Sequence, residues 1–81
     1  MSLEVTSDGK TVWINDSNGH CVARFGPRGI DIHRPLSQQI TTGKQCLDCR
    51  MGMNSWDEFL TAVKSHFNFD VPNEHRPLWS K

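Results

Sequence analysis

The chain has 81 residues, of which 36% are hydrophobic, and its nine Lys and Arg residues balance nine Asp and Glu residues. This length allows one small domain, which buries only about 60% of its unfolded surface and is marginally stable unless something staples it. The zero net charge argues against a protein that works by covering phosphates or an anionic membrane, and no apolar run is long enough for a membrane span.

Residues 1–33 are predicted to form a β-meander, because two turn dipeptides separate three stretches in which apolar and polar residues alternate. The turns are Asp8-Gly9 and Asn18-Gly19. Two-residue loops would pair Val5 with Val12 in the first hairpin, and Ile14 would face Ala23 in the second. One face of this sheet would be apolar, with Leu3, Val5, Val12, Ile14, Cys21, Ala23 and Phe25. The other would carry Glu4, Trp13, His20, Val22 and Arg24.

A short fourth strand is predicted next, at Ile30-Asp31-Ile32-His33, and Pro35 ends it. The alternation leaves open whether this strand joins the sheet. Residues 34–54 show no sustained periodicity, so we expect an irregular loop that carries two of the three cysteines.

A helix is predicted over residues 55–67, and an extended tail over 68–81. Ser55 and Glu58 have the spacing of a capping box at the start of the helix. A stripe of apolar residues at helical spacing should pack on the apolar face of the meander. The stripe comprises Trp56, Phe59, Leu60, Val63 and Phe67. The sequence therefore predicts an α+β fold in which three or four antiparallel strands carry one C-terminal helix on one face.

The segment Cys46-Leu47-Asp48-Cys49 is the most suggestive chemical feature, because two thiolates at this spacing can bind one side of a tetrahedral zinc ion. His33 and His66 are the candidates for the other two ligands. A zinc ion there would tie strand end, loop and helix together. The alternative is that Cys46 and Cys49 are free thiols in a loop. A thioredoxin-like redox site is less favoured, because no βαβ unit is predicted.

The polar face of the meander is the candidate binding surface. Trp13 should lie opposite Arg24, and an exposed Trp beside an Arg is typical of binding hot spots. His20 and Arg28 are predicted to contact the same partner. The alternative is that the C-terminal tail covers this face with Trp79.

Four stretches of the sequence resemble a group of short phage and prophage proteins that have no assigned activity. They are Val12-Trp13-Ile14-Asn15-Asp16, Ala23-Arg24-Phe25-Gly26, Gly29-Ile30-Asp31-Ile32-His33 and Cys46-Leu47-Asp48-Cys49. The resemblance covers most of the chain, implies a phage or mobile-element origin, and carries no catalytic residue. It implies an accessory role in which a small domain binds a host protein.

The sequence holds no serine elbow, phosphate-binding loop or His-Glu-x-x-His motif, so we predict a non-enzymatic protein-interaction module. It also lacks the pattern of a signal peptide, and we expect a cytoplasmic protein that binds or inhibits a host protein and no membrane. Two alternatives stay open, a zinc-dependent nucleic-acid-binding protein and a structural virion component. The cations available for phosphates are Arg24, Arg28, Arg34, Lys44 and Arg50.

Overall fold

The structure is a computed structural model that describes residues 2–80. Its five antiparallel strands form one open sheet, in which they lie in chain order. The strands are β1 (Glu4–Ser7), β2 (Val12–Asn15), β3 (Cys21–Gly26), β4 (Gly29–His33) and β5 (Cys46–Met51). The helices are α1 (Leu36–Thr42) and α2 (Trp56–Phe67), with a 3-10 turn at Asn73–His75. The predicted α+β class is confirmed, but residues 2–80 contain five strands and two helices instead of the predicted three or four strands and one helix. None of the helices within residues 2–80 is long and apolar enough to cross a bilayer.

The first hairpin pairs two residues away from the predicted register. Val5 lies opposite Ile14 instead of Val12. The Asp8 carboxylate accepts hydrogen bonds from the backbone N–H groups of Lys10 and Thr11, at 2.9 and 2.8 Å. The central residues of the turn are therefore Gly9 and Lys10 rather than Asp8 and Gly9. Because a shift of two residues preserves the alternation of a strand, every side chain keeps its predicted face.

The second hairpin confirms the predicted pairing of Ile14 with Ala23, but its loop is one residue longer than expected. The Asp16 N–H donates to the His20 carbonyl at 2.9 Å. A register shift after Ile14 absorbs the additional residue. The prediction that Cys21 belongs to the core is therefore wrong: Cys21 is half-buried opposite Asn15, and the core contains Val22 instead.

The fourth strand joins the sheet, where β4 pairs with β3 on one side and with β5 on the other. Gly29 makes the second contact feasible, because a Cβ atom there would overlap the Arg50 carbonyl oxygen. Its φ of 137° is also one that side chains disfavour. The prediction of an irregular loop over 34–54 is wrong, since this segment holds α1 and β5. The sequence conceals both because α1 buries no residue and β5 is a largely exposed edge strand.

Helix α2 corresponds to the helix predicted over 55–67 and covers the apolar face of the sheet, called the inner face below. The Ser55 hydroxyl accepts the Glu58 N–H at 3.4 Å, as a capping residue does. Trp56 and Phe59 of the helix are buried against Phe25 of β3, with ring centroids 5.7 and 5.1 Å from it. An aromatic cluster therefore forms the centre of the core.

The C-terminal tail packs on the inner face as well, so the alternative in which it covers the opposite face, the outer face, is not met. The Trp79 ring stacks on Phe25 at 5.0 Å between centroids, and its indole N–H donates to the Lys10 carbonyl at 2.8 Å. Val71 is buried in the core, whereas Leu78 is fully exposed. The tail and α2 therefore both pack against the inner face of the sheet.

Candidate functional site

Four residues lie side by side across the outer face, one from each of four neighbouring strands. The pairing places Trp13 opposite Arg24, Arg24 opposite Asp31, and Asp31 opposite Cys49. We call these four residues the outer row. The Arg24 Nε donates to the Asp31 carboxylate at 3.0 Å. Because both side chains are partly exposed, this ion pair contributes at most about 1 kcal/mol to stability.

A shallow depression of about 330 Å³ lies at one end of the outer row, beside the turn between β3 and β4. The predicted residues Trp13, Arg24 and Arg28 line it together with Thr11, Pro27 and Asp31. His20 does not join them. It is exposed in the turn between β2 and β3 and lines a separate depression of about 160 Å³. The structure therefore brings together three of the four predicted contact residues.

The cysteine pair lies on the outer face because β5 contains a bulge. Two residues three positions apart in a regular strand point to opposite faces. Here the register shifts between Ile32 and His33 so that His33 faces Cys46, while Leu47 has no partner. Both cysteines then project from the same face, with Cα atoms 6.0 Å apart, and they form a disulfide. Both residues are exposed.

The four predicted zinc ligands are not brought together. His33 lines a cleft with Cys46 and Cys49 on the outer face, and its Nδ1 lies 3.1 Å from the Cys21 carbonyl oxygen. His66 instead contacts Asp48, which faces the core residue Ile32; the His66 Nε2 lies 3.3 Å from its carboxylate. Residues 2–80 contain no group of three or more His, Cys, Asp or Glu side chains arranged to hold a metal ion. Zinc stapling therefore has no support in the structure.

The inner side of β5 is polar. Arg50 donates to both carboxylate oxygens of Asp48, at 3.2 and 3.1 Å, and this hydrogen bonding lowers the pKa of Asp48 below its ordinary value of 3.8. Arg50 also lies 3.3 Å from Glu58. Because Arg50 is engaged with α2 while Arg24 belongs to the outer row, the five cations proposed for phosphate contact do not form one surface.

Sequence reasoning missed Asp31 as part of the site. Its position between Ile30 and Ile32 places its side chain on the polar face, and this alternation was visible. What was missing was the pairing of β4 with β3, because the alternation left open whether the fourth strand joins the sheet. With Gly26 opposite Gly29, Arg24 and Asp31 are cross-strand neighbours of opposite charge.

Comparisons with protein-family models, with curated proteins and with solved structures gave no match. The resemblance to short phage and prophage proteins therefore stays a prediction.

Proposed function

We propose that this chain is a non-enzymatic protein-interaction module that binds a partner protein through the depression beside the outer row. Trp13, Arg24 and Arg28 would make the principal contacts. The observation that carries the proposal is that α2 and the tail both pack on the inner face, which leaves this depression uncovered. The predicted phage origin makes a host protein the expected partner.

The residues of the depression suit a protein partner of defined chemistry. Trp and Arg are the residue types that contribute most often to binding hot spots. Arg28 is exposed and has no carboxylate partner within residues 2–80, whereas Arg24 is held by Asp31. Pro27 keeps the rim rigid. These features favour an acidic segment of the partner that also carries an apolar side chain to cover the Trp13 ring.

The nucleic-acid alternative is less favoured by the same contacts. Arg24 and Arg50 are in ion pairs with Asp31 and Asp48 and lie on opposite faces of the sheet. A phosphate-binding surface would instead need free cations on one face. A virion component is the third alternative, and it would show itself by self-association.

Affinity capture from a nuclease-treated bacterial lysate tests the proposal, followed by affinity measurement with the purified partner. The double variant Trp13→Ala/Arg28→Glu should bind that partner at least about 10-fold more weakly, because hot-spot losses exceed about 1.4 kcal/mol. Leu78→Ala is the matched control, since this side chain is fully exposed away from the core, and should bind like the wild type.

Retention of every captured partner by the double variant would refute the proposed surface. Binding to DNA or RNA that weakens steeply with salt would favour the nucleic-acid alternative. Sedimentation of the purified chain as a large assembly would favour the structural one.

A further inference from the structure

The exposed disulfide on β5 does not line the depression proposed for partner binding. It closes a ring over only three positions of sequence, and a crosslink over so short a loop restricts the unfolded chain little. Neither Cys46 nor Cys49 belongs to the hydrophobic core. The bond is therefore poorly placed to act as a structural staple.

We propose that Cys46 and Cys49 form a reversible thiol–disulfide exchange site whose co-substrate is a dithiol or a pair of small-molecule thiols. The bulge at Leu47 places both sulfur atoms on the outer face, and a cleft of about 350 Å³ opens beside them. That volume lies within the range of small-ligand sites. Reactive disulfides are typically exposed ones, which an attacking thiolate can reach.

The neighbours of the two sulfur atoms indicate which one is attacked. Cys49 faces Asp31, whose carboxylate is paired with Arg24. The Cys49 sulfur is partly buried 4.0 Å from the Ile32 carbonyl oxygen, which obstructs an approaching thiolate. Cys46 faces His33 instead and is the first residue of β5. Attack at Cys46 is therefore favoured, with the Cys49 sulfur as the leaving group.

The exchange balances in two steps. A thiolate of the dithiol attacks the Cys46 sulfur, so a mixed disulfide forms, the Cys46–Cys49 bond breaks, and the Cys49 sulfur leaves with the electron pair and takes up a proton. The second thiol of the co-substrate, after losing its proton, then attacks the mixed disulfide and releases Cys46 as a thiol. Two electrons and two protons pass to the protein, and the dithiol becomes a disulfide.

The third cysteine stays outside this cycle. Cys21 is half-buried, and burial raises the pKa of its thiol, which keeps it protonated and weakly nucleophilic. Cys21→Ser is therefore the background in which the pair can be studied alone.

Glutathione redox buffers test the site on the full chain in this background. Folded protein is equilibrated at neutral pH over a series of ratios of reduced to oxidised glutathione, starting from the oxidised and from the reduced protein. After acid quenching and alkylation, intact mass should show one two-electron transition, reached from both directions. The far-ultraviolet circular dichroism should be unchanged across it.

Single-cysteine variants test the direction of attack. With oxidised glutathione, Cys49→Ser should accumulate a mixed disulfide at Cys46 several-fold faster than Cys46→Ser accumulates one at Cys49. Equal rates would overturn the assignment of Cys46. Leu78→Ala, at a fully exposed position outside both sites, should leave the redox transition unchanged. The redox assay contains no partner protein, so failure of this proposal is distinguishable from failure of the proposed binding surface.

Three outcomes would overturn the exchange site itself. A bond that resists excess dithiothreitol until the protein is denatured would be a structural disulfide. Thiols that remain reduced in every oxidising buffer would show that no disulfide forms. Zinc that co-purifies with the reduced protein and is removed only by a chelator would make the pair a metal site.

Discussion

The two faces of this sheet are built from alternate residues of the same strands, yet they have opposite properties. On the inner face Val12, Ile14 and Phe25 are completely buried under α2 and the tail. On the outer face the intervening residues Trp13 and Arg24 remain accessible to water. Because burial of apolar area supplies most folding free energy, stability is concentrated on one face. The residues of the outer face contribute little to the core, so their side chains can serve binding or chemistry instead.

The contrast weakens at the β5 edge. The inner residues of this strand are Asp48 and Arg50, which form ion pairs instead of extending the core. On the same strand the outer residues Cys46 and Cys49 form the disulfide. The apolar core thus ends at β4, and β5 is held by its backbone pairing and by polar contacts.

The largest expected difference between the faces is in the free energy of unfolding of two alanine variants, Phe25→Ala on β3 and Trp13→Ala on β2. Phe25→Ala should lower the free energy of unfolding by about 3–5 kcal/mol, because it removes a ring that contacts Trp56, Phe59 and Trp79. Trp13→Ala should cost less than about 1 kcal/mol, since it loses only cross-strand contacts. Urea unfolding followed by circular dichroism measures both.

Phe25→Leu keeps this comparison measurable if the alanine variant does not fold, and it should show a smaller loss of the same sign. Equal losses for Trp13→Ala and the Phe25 variants would mean that the outer face is part of the core. That result would end the distinction between the two faces.

A smaller effect is expected from the tail. Trp79→Ala should destabilise the protein by about 1–3 kcal/mol, since it removes both the stacking on Phe25 and the hydrogen bond to Lys10. Trp79→Phe should recover the stacking part. Leu78→Ala, its fully exposed neighbour, should change the free energy of unfolding by less than about 0.5 kcal/mol. A Trp79→Ala variant as stable as Leu78→Ala would show that the tail does not dock.

The smallest effect concerns the polar inner edge. Hydrogen bonding from Arg50 lowers the pKa of Asp48 in the folded state, so ionised Asp48 stabilises the fold above its unfolded pKa. This contribution is lost as the pH falls through the folded-state value. Asp48→Asn should therefore be less stable than the wild type at pH 5, by under about 1 kcal/mol, and the difference should shrink below about pH 4.

Urea unfolding at pH 5 and at successively lower pH measures this difference. Glu4→Gln, at an exposed position on β1, is the control and should show little difference from the wild type at pH 5. A difference for Asp48→Asn that stays constant with pH would rule out the ion pair as its cause.

Much of the first half of the fold followed from local pattern. Ile14 and Ala23 pair as predicted, because alternation and a nearby turn act over few residues. The Cys21 prediction failed for an equally local reason: one additional loop residue moved Cys21 out of the core and placed Val22 in it. A turn dipeptide indicates that the chain turns there, but it does not determine how many residues the loop contains.

The candidate site was only partly predictable. Trp13 and Arg24 were placed together correctly, since neighbouring strands of one hairpin carry them. Asp31 and Cys49 entered the same row only through the pairing of β4 with β3 and β5. His66 was assigned to the cysteines by sequence distance, although the sheet separates them.

Alternation, turn dipeptides and the helical stripe were sufficient for the α+β class, for the helix after Ser55 and for the division of the meander into an apolar and a polar face. These features depend on contacts between residues close in sequence. Only the tertiary structure decided three other features. These are the addition of β5 to the sheet, the docking of Trp79 on Phe25 and the placement of Cys46 and Cys49 on the outer face. An exposed edge strand has little apolar pattern to reveal it, and a single bulge reverses the face of every residue beyond it.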